Sequence, residues 1–362
     1  MINKCQMCIF CSNTIKLEDY LKINNKTIII ESCDNLKEIP KIGNCINYLL
    51  IKNCKNLYKI GSIRWLKAVY ILNCHKLKYI ETINNLESVH IENCFELEII
   101  RPLSGINYYS INDNEMKEAS FKIRNCALIA TIPKLYNFRK IDISYCPKLN
   151  MIYPSKSIYE LRISNCNNIK DISRFYNLVS IYIREVPIQF IPQYENLRIL
   201  SIYKNDFINT IQSYPNLTYL FLYFSNNIEE ISYLPKLKKS EIIGCENIKY
   251  ILSLPNVRIF EISYTDNIDK LELPNSTLFY TLSYKYQIYH RFIGKQYPRD
   301  GYGLTNNMYK LIKLQKWIRK YLYYKRFVKY IKSKEFNQWF YHPNGIGGRT
   351  HIKYIYKMLE KI

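Results

Sequence analysis

The chain opens with Cys5-x-x-Cys8-x-x-Cys11, the one group of residues whose types and spacing resemble a metal ligand set. Zinc commonly takes four ligands in two pairs. Here three thiols follow one another, no His lies near, and the next thiol, Cys33, belongs to the first of the repeats described below. The triplet therefore reads as a cap strand or turn with buried thiols, with zinc as the rival reading. Other chemistry is equally thin. His75, His90, His290, His342 and His351 are scattered, with no H-E-x-x-H and no phosphate-cradling G-x-x-x-x-G-K-[ST]. Gly345, Gly347 and Gly348 follow a Pro-Asn turn rather than a strand, which speaks against a phosphate loop. The last thiol is Cys245, so the C-terminal part has no cysteine nucleophile. These residues nominate no catalytic group, metal or cofactor, and the expectation is a non-enzymatic protein.

The elements that would position any site follow from the remaining cysteines. Cys54, Cys74 and Cys94 are 20 residues apart, as are Cys126, Cys146 and Cys166, and Cys245 stands 79 beyond the last of these. Thiols meant to pair do not keep a fixed step; repeats do. Leu86 to Ile100, LESVHIENCFELEII, reads L-x-x-V-x-I-x-x-C-x-x-L-x-x-I, and Leu66 to Ile80 and Ile158 to Ile172 fit the same template. The aliphatic residue three before the Cys slot marks thirteen candidate units, at Ile30, Ile51, Ile71, Ile91, Ile111, Ile123, Ile143, Ile163, Ile183, Ile202, Leu222, Ile242 and Ile262; the step from Ile111 to Ile123 is only 12, so one unit there is truncated or distorted. Where Cys is missing, the slot holds Asn114, Val186, Asn205, Ser225 or Thr265. Val89 and Ile91 alternate with Ser88, His90 and Glu92, the period-two pattern of a strand with one buried face. Equivalent strands returning in the same direction pair in parallel. At roughly 4.8 Å per strand, thirteen would make a strip on the order of 60 Å long.

This text resembles the leucine-rich-repeat family, L-x-x-L-x-L-x-x-N/C-x-L, over roughly residues 27 to 278. It departs from that pattern in having two spacers after the Cys, as in Cys74-His75-Lys76-Leu77. The resemblance implies a solenoid with a parallel sheet on a concave face. Coils this short leave extended segments and turns, marked by Pro133, Pro192, Pro235 and Pro255, on the convex face. It also implies that the Cys slot, here Cys33, Cys54, Cys74, Cys94, Cys126, Cys146, Cys166 and Cys245, points inward as a structural turn ladder. The expected organisation is an N-terminal cap over 1–26, an array over 27–281 and a basic, partly helical region over 282–362.

Composition bounds the partners. The 362 residues carry 52 Lys and Arg against 30 Asp and Glu, a net charge of +22, which favours acidic partners. No run of 18 apolar residues suggests a transmembrane helix. The first twenty residues lack a signal-peptide core, so the cytoplasm is the expected location. On the strand surface, Tyr182, Arg184, Tyr203, Tyr219, Phe221 and Tyr223 would stand together, and Tyr and Arg are enriched in interface hot spots. With 35 Tyr in the chain, composition alone is the competing explanation of that cluster. The leading expectation is a partner protein bound on the concave face.

Residues 282–362 hold 18 Lys and Arg against three Asp and Glu, so fifteen of the net positive charges sit there. Met308 to Ser333 has no Gly or Pro and spaces Leu311, Leu314, Ile318, Leu322, Val328 and Ile331 in helical fashion. Such a helix could cap the array or contact acidic protein, nucleic acid or a membrane surface. Within it, Leu314-Gln315, Arg319 and Phe327 resemble an IQ motif, which implies a calmodulin-like partner; Lys320 stands where Gly is common. The stretch Lys334 to Ile355, with the preceding LIKLQKWIRKYLYYKRF, resembles C-terminal segments of repeat proteins from large DNA viruses of amoebae. That resemblance implies host cytoplasm and brings no activity with it.

Overall fold

A computed structural model describes residues 27–106, 118–265, 268, 270–271, 278–281 and 303–305. Its main feature is one fourteen-stranded sheet. The first four strands are β1 (Thr27–Glu31), β2 (Ile42–Lys52), β3 (Ile63–Leu72) and β4 (Ser88–Glu92). They are followed by β5 (Ser120–Arg124), β6 (Lys140–Ser144), β7 (Glu160–Ser164), β8 (Ser180–Arg184) and β9 (Ile199–Tyr203). The last five are β10 (Tyr219–Tyr223), β11 (Lys239–Ile243), β12 (Ile259–Ser263), β13 (Leu278–Thr281) and β14 (Gly303–Thr305). Each strand from β1 to β12 pairs in parallel with the next, and equivalent residues face each other, as in Ile71 opposite Ile91. The chain is a parallel β-solenoid.

The twenty-residue period has a simple origin in the core. From Ile71 the inward side chains are Cys74, Leu77, Ile80, Ile83, Leu86, Val89 and then Ile91, all at most 1% exposed. Outside the strand every third residue points in; within it, every second does. Each coil rests on the next through these side chains, so one continuous apolar column runs through the array. Burying an aliphatic side chain contributes roughly 1.5–3 kcal/mol, and a coil alone could bury only part of it. Stability is therefore shared between neighbours. Behind the main sheet, short parallel ladders such as Glu38–Ile39, Lys59–Ile60, Tyr79–Ile80 and Ile99–Ile100 stitch the opposite wall. No helix is present among the described residues.

Three features depart from the regular repeat. First, β4 pairs directly with β5, Ile91 facing Ile123, so no strand of the main sheet stands between them. The step from Ile91 to Ile123 is 32 residues, and residues 107–117, including Ile111 and Asn114, lie outside the described residues. At Gly105 the packing is tight, because a Cβ there would come within 2.8 Å of the Ala119 Cβ. Second, the coil from Ile183 to Ile202 is one residue short; the loss is absorbed in the turn, where Ile188 N–H donates to Val186 O at 2.8 Å. Third, β14 pairs antiparallel with β13, so residues beyond 281 contribute to the sheet and cover its final edge. The proposed caps and the IQ-like segment (Leu314, Gln315, Arg319, Lys320, Phe327) lie outside the described residues, as do Cys5, Cys8 and Cys11.

Candidate recognition surface

Each main-sheet strand from β1 to β12 exits through a residue in the left-handed region, which sets where the following turn begins. At Asn53, Asn73, Asn93, Asn125 and Asn165 φ lies between 52° and 57°. Asn tolerates this conformation better than most residues. Its amide does further work between coils. Asn73 Nδ2 donates to Asn53 Oδ1 at 2.9 Å, Asn93 to Asn73 at 2.7 Å, and Asn125 to Asn93 at 2.8 Å. This amide ladder caps the sheet's exit edge. Its sequence signal is an Asn immediately before the Cys slot in those five coils.

The Cys slot lies one residue further on and points inward. Cys54, Cys74, Cys94, Cys126, Cys146, Cys166 and Cys245 each direct Sγ at the carbonyl two residues earlier, at 3.3–3.7 Å. Ser225 and Thr265 donate to the same carbonyl position at 3.2 Å. The slot thus takes a small side chain that can donate one weak hydrogen bond. Asn205 uses its amide differently, accepting from the Phe207 and Ile208 N–H groups and donating to Val186 O and Ile188 O. Val186 is the apolar exception. Cys33 is fully buried too, and all eight thiols are unbridged. Burial pushes the Cys245 thiol up to about 11. In the stacked pairs, the S–H···S contact and burial raise Cys54 and Cys146, while the same contact lowers their partners Cys74 and Cys166.

The outward residues of the main sheet form columns fixed by the strand register. Tyr182, Ser201, Phe221, Glu241 and Glu261 make one column, and Arg184, Tyr203, Tyr223, Ile243 and Ser263 the next. Tyr219 stands in the adjoining column between Ile199 and Lys239. All six expected aromatic and arginine residues therefore lie on one face over three consecutive strands, β8 to β10. Arg184 and Tyr219 are exposed, and Tyr182, Tyr203, Phe221 and Tyr223 are half-buried.

Neighbouring coils brace these rings. The Arg162 guanidinium lies 4.1 Å from the Tyr182 ring centre and that of Arg184 4.6 Å from Tyr203. Tyr203 also contacts Tyr223, with centroids 6.3 Å apart, and Tyr219 lies parallel to Phe221 within 4°. Cation–π contacts at exposed sites contribute about 0.5–1 kcal/mol each. Phe224 extends the cluster, its ring 5.8 Å from Tyr203 and lying over Gly244, where a Cβ would come within 2.6 Å of it. It is 45% exposed, and its sequence signal is an aromatic residue in the exit-turn column.

Charge borders the rings on one side. Tyr223 donates its hydroxyl to Glu241 at 2.6 Å, and Lys239 donates to the same carboxylate at 2.6 Å. Partial burial disfavours the Glu241 charge, but the two hydrogen bonds outweigh it and hold the carboxyl below its ordinary range. Glu261, desolvated and beside Glu241, is shifted upward. The arrangement offers rigid aromatic area with cations at its rim and no group positioned as a nucleophile with its base. Among the described residues no cluster of three His, Cys, Asp or Glu could hold a metal. By sequence the chain matches no protein-family model and no curated protein.

Proposed function

We propose that this protein is a non-enzymatic recognition scaffold, a short-period leucine-rich-repeat array that binds a protein partner on the open face of its main sheet. Tyr182, Arg184, Tyr203, Tyr219, Phe221 and Tyr223 carry the binding. The observation behind this reading is the contiguity of the cluster: residues spread over about forty positions of chain form one braced patch with exposed rims. Aromatic residues held by their neighbours lose little conformational freedom on binding. The cytoplasm is the proposed site of action, and the tail's resemblance supports an origin in a large DNA virus of amoebae.

A photo-crosslinking residue at Phe221 tests the reading, with Tyr176, another exposed ring well away from β10, as the control site. A discrete protein adduct is expected from position 221 and not from 176. Replacing Tyr203 and Tyr223 by Ala should weaken the captured partner by roughly 2 kcal/mol, about thirty-fold in Kd. Equal capture from both sites, or capture unaffected by the two replacements, contradicts it. A second reading rests on the charge of 282–362: a tether to nucleic acid, a membrane surface or a calmodulin-like protein. Neutralising Lys316, Arg319 and Lys320 would weaken such a contact while leaving capture at Phe221 intact.

A further inference from the structure

Four residues before each core aliphatic position, the chain turns into the main sheet, and a second column of side chains runs along that corner. Its backbone is a continuous ladder. Thr218 N–H donates to Arg198 O at 2.8 Å, Lys238 to Thr218 at 2.9 Å and Arg258 to Lys238 at 2.8 Å. Each of those carbonyls also accepts from the following residue of the next coil, as Tyr219 N–H does from Arg198 O at 2.9 Å. Side chains in this column are therefore held one coil apart, about 4.8 Å per step, and Arg198 to Arg258 spans roughly 14 Å.

The same column is electrically different along its length. Near the start, Lys67 is paired with Glu87 at 3.5 Å, and Lys140, beside Arg139, is held by Glu118 at 2.8 Å. From Arg198 onward it reads Arg, Thr, Lys, Arg. Lys236 joins them one turn earlier in its coil, its ammonium 2.6 Å from Asn216 Oδ1. These groups surround a half-open groove of about 390 Å³ with no acidic residue in its lining. Arg198, Lys238 and Arg258 make no ion pair among the described residues, whereas many cations elsewhere in the array do.

We propose that this corner groove binds the phosphodiester backbone of a single-stranded nucleic acid. Its lining side chains are Arg, Lys, Asn and Thr, and the apolar part of the wall is only the aliphatic stems of these residues, so a peptide would find no hydrophobic or aromatic side chain lining an anchoring pocket. A ligand whose contacts are all charge fits better. Guanidinium groups can bind phosphate oxygens bidentately, and Lys238 adds a point charge between them. Tyr219 follows Thr218 directly, is 39% exposed and lies flat against Phe221, giving an unpaired base a ring to stack on beside the groove. Tyr219 belongs to both surfaces, but Arg198, Lys238 and Arg258 belong to the groove alone, so replacing these cations tests the groove without touching the protein-binding patch.

The test is fluorescence anisotropy of a labelled twenty-nucleotide oligo(dT) with the full chain across a salt series. Arg198→Gln/Lys238→Gln/Arg258→Gln is compared with Lys148→Gln/Lys156→Gln/Lys170→Gln, which removes equal charge from exposed positions elsewhere on the array. The groove triple should weaken binding and flatten the log–log salt slope by about 2, three contacts at roughly 0.7 each; the control triple should leave the slope near the parent's. Arg198→Lys/Arg258→Lys should recover most of the slope, which a misfolded variant could not do. Equal behaviour of the two triples overturns the proposal. So does displacement of the oligonucleotide by poly-glutamate at the same charge concentration, which would mark the groove as a site for acidic protein.

Discussion

Asn93 shows how one side chain type can hold a corner of the fold. Its backbone sits at φ 55°, its amide donates to Asn73, and its carbonyl oxygen accepts from Asn125. Asn93→Ala removes both side-chain bonds and leaves a Cβ in the left-handed region. At roughly 1 kcal/mol per bond and 1–2 for the conformation, about 3 kcal/mol of stability should go. Asn93→Gly loses the bonds but keeps the backbone at ease, so it should cost about half as much. Denaturant midpoints at constant m-value check the order; Gly as costly as Ala would dismiss the conformational part. The amide ladder was legible as the recurrent Asn-Cys dipeptide, yet periodicity of apolar residues points only inward and passes over it. The patch residues were legible for the complementary reason: once the strand period is known, outward positions follow, and register alone brings Tyr203 beside Tyr223.

At the scale of the element, the inward slot after each strand accepts Cys, Ser, Thr or Asn because its geometry asks for a small group near one carbonyl. This has a pH consequence. Cys245 titrates near 9.0 when unfolded and near 11 when folded, so the folded state binds the extra proton between those values. Its contribution to stability is intact below pH 9 and is lost as pH rises toward about 11. Midpoints of thermal unfolding should therefore fall over that window, and Cys245→Ser should reduce the fall. In the native state at pH 8 the thiol should resist iodoacetamide until the chain unfolds; rapid native-state labelling would contradict its buried placement.

Strand assignment from sequence succeeded where two inward residues flank the outward one, as in Phe121 and Ile123. At Ile111 the step of only 12 to the next unit already marks an irregular unit, and aligned with β4 the sequence has Tyr109 in place of Val89 and Lys117 in place of Leu97. One matching aliphatic residue does not define a strand; a complete inward set does, because a coil is stabilised only when all its core positions meet those of its neighbours.

At the scale of the whole molecule, stacking turns positions twenty apart into neighbours, and most of the surface chemistry exists only after it. Arg198, Lys238 and Arg258 are unremarkable along the chain and become a row of cations beside a groove because backbone ladders align them. A reader of the sequence sees a basic tail far sooner than this corner. Both proposed surfaces depend on the same fact, that β1 to β13 follow one another in parallel and in register with β4 directly against β5. The measurement that tests it most directly is the distance between genetically encoded spin labels at His90 and Tyr182, which leaves the native thiols untouched. Four steps from β4 through β5, β6 and β7 to β8 predict about 19 Å between the labelled strands. A distance near 24 Å, one strand more, or a broad distribution spanning many steps would contradict the stack and the surfaces built on it.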